Sequence, residues 1–102
     1  MKAVKFCIFI LIGVLLLSCV TAIPVEEYNL ARAAVEAARE SEALTYAPGL
    51  WYKAEEAYKQ GQKQYDDRRF AEAQESFVQA KVFAEKAETA ARITKAQGGV
   101  PQ

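Results

Sequence analysis

Few side chains in this 102-residue chain could do chemistry, and their spacing is unfavourable for it. There is no His, so the commonest metal ligand and the commonest general base are both missing. Glu26-Glu27 and Glu55-Glu56 are adjacent carboxylates, but neighbours on a helix point about 100° apart and neither pair can converge on one site. Carboxylate di-iron bundles need Glu-x-x-His pairs, which this composition excludes. Ser41 and Ser76 have no base to activate them. No Gly-rich phosphate loop follows a strand, and no strand is evident. Arg68-Arg69, with Lys63 and Phe70, is too small a basic cluster for nucleic acid, and the formal net charge of zero adds no field. The expectation is a protein that is not an enzyme, with no cofactor, no metal, no nucleic-acid partner and no evident small-molecule substrate.

The two cysteines, Cys7 and Cys19, both lie in the N-terminal apolar stretch and do not read as a disulfide framework. Lys2 and Lys5 open that stretch, and Phe6 to Leu17 is then almost continuously apolar. A run of roughly a dozen residues is short for the ~30 Å hydrocarbon core and suits the apolar region of a signal peptide. Leu16-Leu17-Ser18-Cys19 resembles the bacterial lipobox. That resemblance implies that the Cys19 thiol takes a diacylglyceryl group and that the chain is cut before Cys19. The new amino group is then usually acylated too. Several chains are needed because each buried methylene contributes only about 0.8 kcal/mol. Two other outcomes stay open: cleavage after Ala22, which would release a soluble domain starting at Ile23, and an uncleaved anchor extending to Ile23. Val20, rather than Asp, would be the second mature residue, and the sorting rule of enteric bacteria then implies the outer membrane, facing the periplasm.

Residues 1–18 thus read as a lipoprotein signal peptide, 19–24 as a short lipid-attached linker, 25–96 as a helical domain and 97–102 as a disordered tail. Val20 to Pro24 span under about 18 Å even when fully extended, so a lipid on Cys19 would hold the domain close to the membrane. Lys2 and Lys5 are the only charged residues before Glu26. Losing them reduces the 13 basic side chains by two against an unchanged 13 acidic ones, leaving the mature domain slightly acidic.

Three helices are expected, over about 25–44, 48–65 and 69–95, in an all-α, up-down arrangement. The first carries the stripe Tyr28, Ala31, Val35, Ala38 in steps of three and four. Thr45-Tyr46-Ala47-Pro48-Gly49 breaks it, and Pro48 suits a first helical position. The second helix has the stripe Trp51, Ala54, Tyr58, Gly61, Tyr65. Gly61 costs about 1 kcal/mol relative to Ala in a helix interior, so its place on the stripe implies close approach of a facing helix. After the break at Asp66 to Arg69, where Asp67 is a candidate cap, the third helix carries Phe70, Ala73, Phe77, Ala80, Ala84, Ala87 and Ala91. Short breaks make the second and third helices antiparallel neighbours, with the first covering their groove. The candidate packing core is Trp51, Ala54, Tyr58, Gly61, Tyr65, Phe70, Ala73, Phe77, Ala80 and Ala84. Tyr46 and Tyr52 fall off the stripe and point to a binding surface or the membrane interface. Alanine-rich stripes bury little area, so modest stability is expected, with self-association or a partner protein completing the core.

The spacing Gly61…Phe70-x-x-Ala73-x-x-x-Phe77-x-x-Ala80 resembles the helix-turn-helix of a single tetratricopeptide repeat, without the terminal proline and without a second copy. More of the chain resembles a family of short bacterial envelope proteins containing a domain of unknown function and often found in lipoproteins. The match rests on the Ala-rich first helix, Tyr46-Ala47-Pro48, Ala54-Glu55-x-Ala57, Phe70-Ala71-Glu72-Ala73 and the long Ala/Glu/Lys helix. That family commonly has Gly-Asp before the aromatic of the second turn, where this chain has Arg68-Arg69. The resemblance implies a helical fold and an envelope location, and it supplies no catalytic residue and no ligand. It favours a lipid-anchored interaction or scaffold protein, with a soluble carrier or chaperone-like domain cleaved after Ala22 as the alternative.

Overall fold

Alanine, glutamate, lysine and arginine dominate the chain after Pro24, and these are strong helix formers. The computed structural model describes residues 1–17 and 22–98 and is all-α, with no strand among the described residues. Its elements are α1 (Lys2–Leu17), α2 (Val25–Glu40), a single turn α3 (Ala43–Tyr46), α4 (Pro48–Asp66) and α5 (Phe70–Ala96). Helices α4 and α5 form an antiparallel hairpin, the repeat-like unit expected from the Gly61 and Phe77 spacing. Helix α2 runs parallel to α5: Gln74 reaches Glu27 near one end, and Lys95 reaches Glu42 at the other. It packs mainly on α5 and only lightly on α4, so it lies to one side of the hairpin groove.

The first expected helix, 25–44, is shorter than its composition suggests. It stops at Glu40 because the Ser41 hydroxyl donates back to the Ala37 carbonyl (2.9 Å) and Glu42 turns left-handed at φ 60°. The chain restarts as α3, which places Ala43 and Ala47 in the core. Pro48 opens α4, as its fixed φ favours. The remaining boundaries lie within a residue or so of expectation, the ordinary scatter of helix ends.

Two clusters make up the interior. One surrounds Trp51 with Ala34, Val35, Ala38, Ala43, Ala47, Ala54, Ala84, Ala87 and Ala91. The other surrounds Phe77 with Ala31, Ala57, Ala73 and Ala80, and Tyr58 packs against both clusters. Phe77 is the largest fully buried side chain. Its ring lies so close to Gly61 that a Cβ there would sit 2.7 Å from it, inside contact distance. The ring cannot retreat, because Tyr28 stacks on it at 4.4 Å between centroids, with Tyr58 and Tyr65 at 6.0 and 6.4 Å. Close by, a buried hydrogen bond joins the hairpin: the Ser76 hydroxyl donates to Gln64 Oε1 at 2.6 Å.

The second turn is a Schellman closure in which Arg69 N–H donates to the Gln64 carbonyl (2.8 Å) and Arg68 N–H to Tyr65 (3.0 Å). Arg68 is left-handed, φ 61°, a conformation in which a Cβ is unfavourable. Asp67 is not the cap of the following helix: it ends α4, and Arg69 stands at the N-cap of α5 with no side-chain capping bond. An Arg there faces the positive end of the helix dipole, partly offset by its ion pair with Glu72.

Two outcomes follow for thermal unfolding. Gly61→Ala gains about 1 kcal/mol of helix propensity but meets an overpacking cost of about 1–3 kcal/mol. The expected net result is a Tm lowered by roughly 5 °C, partly restored by the second change Phe77→Leu. Arg68→Gly relieves a left-handed Cβ, and Arg69→Asp supplies the missing cap, so each should add about 0.5–1 kcal/mol and raise Tm. Scanning calorimetry of the four variants checks both expectations.

Candidate functional site

Lys2 and Lys5 precede an unbroken apolar segment, and that segment forms α1. Side chains from Met1 to Val14 are exposed, and α1 makes no contact with the other helices among the described residues. At 16 residues it is about 24 Å long, against a hydrocarbon core of about 30 Å. No described helix is long and apolar enough to cross a membrane. Cys19, the expected lipid-attachment residue, lies outside the described residues, as do Gly99 to Gln102 of the expected tail. Cys7 is exposed and free. The bundle starts at Pro24, which is buried and whose carbonyl accepts the Tyr28 N–H at 3.1 Å.

Of the expected core, Trp51, Ala54, Gly61, Ala73, Phe77, Ala80 and Ala84 are buried. Tyr58, Tyr65 and Phe70 are half-buried: Tyr58 and Tyr65 pack against the Phe77 cluster from outside, and Phe70 packs edge-on against Tyr65 at 5.6 Å. The two off-stripe tyrosines differ. Tyr46 packs on the Trp51 cluster, with Lys95 Nζ 5.9 Å from its ring, whereas Tyr52 is exposed. Buried Gln64 and Ser76 were not anticipated, although each lies three residues beyond a stripe position (Gly61, Ala73) and so borders the packed face.

Helix α5 has a second face. Val78, Val82 and Ile93 are exposed opposite the alanine stripe, beside a shallow open groove of about 410 Å³ lined by Val82, Glu85, Lys86, Thr89, Ala90 and Ile93. Branched residues on an exposed helix face gain little for the helix itself.

Among the long bundle helices α2, α4 and α5, packing is lightest at the seam between α2 and α4, which is lined largely by aromatic and charged side chains. A cleft of about 210 Å³ is lined by Arg32, Val35, Glu36, Arg39 and Tyr58. Arg32 lies over the Tyr28 ring, 5.1 Å from its centroid, and Tyr28 Oη accepts from Gln62 Nε2 at 3.1 Å. Hydrogen bonding to the Tyr58 hydroxyl, with a smaller contribution from Tyr28, raises the Arg32 pKa above its ordinary value. The Tyr28–Arg32 stack is an i,i+4 pair, a signal that was visible in the sequence but has meaning only beside Tyr58 on another helix.

No group of three His, Cys, Asp or Glu side chains could hold a metal ion among the described residues. The adjacent glutamates fall in α2 and α4 without converging: Glu55 pairs with Lys59, and Glu27 with Gln74. The arrangement offers polar recognition and apolar contact. Neither a curated protein nor a solved structure matches the chain. A family model, described as a domain of unknown function (DUF4398), matches residues 26–101, which covers α2 except its first residue and all of α3, α4 and α5. The chain therefore belongs to the DUF4398 family.

Proposed function

We propose that this protein is a non-enzymatic helical interaction protein of the bacterial cell envelope, anchored through lipid on Cys19. The observation that carries the proposal is the isolated helix α1: sixteen residues, apolar, touching nothing in the bundle, and followed directly by Ser18-Cys19. A helix that neither joins the core nor is long enough to span a bilayer fits a segment that serves export and is then removed. The short Val20–Pro24 connection keeps the bundle near the lipid, and buried Pro24 leaves little slack for a longer tether. With Val20 second in the mature chain, the anchor would lie in the outer membrane and the bundle in the periplasm. The exposed branched face of α5 supports an interaction role, since such surface is of use to a protein partner or a second copy.

Intact mass of the protein extracted from membranes tests the proposal. The expected species begins at Cys19, carries two or three acyl chains, and is lost in Cys19→Ser. A water-soluble species beginning at Ile23 overturns the anchor and selects the alternative, a secreted helical carrier cleaved after Ala22. Crosslinking in intact cells should trap a protein partner or a dimer, and a strictly monomeric pattern contradicts the interaction role.

A further inference from the structure

Six basic side chains of the bundle pair with acids: Arg39 with Glu36, Arg69 with Glu72, Arg92 with Glu88, Lys59 with Glu55, Lys81 with Glu85 and Lys95 with Glu42. Arg32, like Lys53, Lys63, Arg68 and Lys86, has no carboxylate within ion-pair distance among the described residues, and of these it alone lines the α2–α4 cleft. Its guanidinium is nevertheless placed, lying over the Tyr28 ring, which Gln62 holds in turn, with Tyr58 lining the same cleft. A planar cation held by aromatic groups at the mouth of a cleft keeps its donor fork free for an outside acceptor.

The rest of the cleft defines that acceptor. Glu36, the acid that lines it, is engaged by Arg39 Nη1 at 2.7 Å from each oxygen. Arg39 lies with its Cζ 5.7 Å from the Trp51 ring centroid, which leaves the cleft one positive charge in excess. Val35 supplies an apolar wall, and Tyr58 a hydroxyl that can donate to an oxyanion. A volume of about 210 Å³ suits a small group rather than an extended chain.

We propose that the α2–α4 seam binds a carboxylate attached to a small acylated amino acid or peptide end, with Arg32 as its bidentate donor, Tyr58 as a second donor and Val35 against the side chain. The guanidinium fork pairs bidentately with carboxylate and phosphate alike, and the single excess positive charge of the cleft matches a monoanionic carboxylate better than a phosphate dianion. The site is independent of how the N-terminus is processed.

The test is a titration of the isotope-labelled full-length chain, in non-ionic detergent at neutral pH and constant ionic strength, with N-acetylalanine. N-acetylalaninamide and inorganic phosphate serve as comparison probes. Saturable NMR shifts are expected at the Arg32 Nε–H and at its neighbours Val35 and Tyr58, with the amide probe inert. Arg32→Gln should weaken binding by roughly tenfold or more, and Tyr58→Phe by less. Arg32→Lys, which keeps the charge without the fork, should recover only part of the affinity, and Arg68→Gln should match the parent chain. Equal affinity in Arg32→Gln overturns the proposal, as does an equal response to the amide. Shifts spread without saturation over all arginines would show ionic screening only and also overturn it. Tighter binding of phosphate than of N-acetylalanine would reject the carboxylate assignment.

Discussion

The ring of Phe77 against the bare backbone of Gly61 is the contact on which the bundle depends. A core built mostly of alanine buries little area per residue, so large side chains must be placed where they touch several helices at once. Phe77 does so: it projects from α5, lies on α4 at Gly61, and is roofed by Tyr28 from α2. The absence of a side chain at Gly61 costs helix propensity in α4 but leaves the space that the Phe77 ring occupies. Trp51 has a similar role at the other end, among alanines of α2, α3 and α5. Tyr58 packs against both clusters, which makes one core of two small ones.

That solution packs the molecule unevenly. Alanines give α2 a close fit on α5, through Ala31, Ala34 and Ala38 against the alanines of the long helix. Against α4 it meets larger side chains instead, and Tyr58, Tyr65 and Trp51 hold the two helices apart. The polar cleft at Arg32 is a by-product of this asymmetry. Bulky rings that fill the core also prop open the seam beside it, and their π-faces and hydroxyls hold the arginine that lies there.

At the two chain reversals, the backbone takes left-handed conformations without glycine. Glu42 and Arg68 both sit at φ near 60° immediately after a helix, where a Cβ is unfavourable. Both are exposed, so their side chains can reach solvent, and Glu42 gains an ion pair with Lys95. The second reversal has neither a glycine at its left-handed position nor a capping side chain at the start of α5. Closure persists because the hairpin core already fixes how α4 and α5 meet.

Periodicity alone determined much of this protein. The alternating three- and four-residue spacing from Phe70 to Ala91, Pro48 at a helix start and the lone Gly61 on a stripe specify an all-α hairpin, because each is a local property of the chain. The apolar run before Cys19 is equally local, as is the absence of His. Tertiary structure decided what local signals cannot carry. The stop at Ser41 and Glu42 depends on Ala43 and Ala47 finding a core to enter. The half-burial of Tyr58, Tyr65 and Phe70 depends on where three helices leave a rim. The pairing of Ser76 with Gln64 joins positions twelve residues apart across the turn. The candidate cleft was the least legible feature, since Arg32 in isolation is one more charged residue on an exposed helix face. Its distinction comes from Tyr58, twenty-six positions away, and from the carboxylates that the fold has committed to other partners. A side chain's unmet valence is a property of its surroundings, and only the packed bundle supplies them.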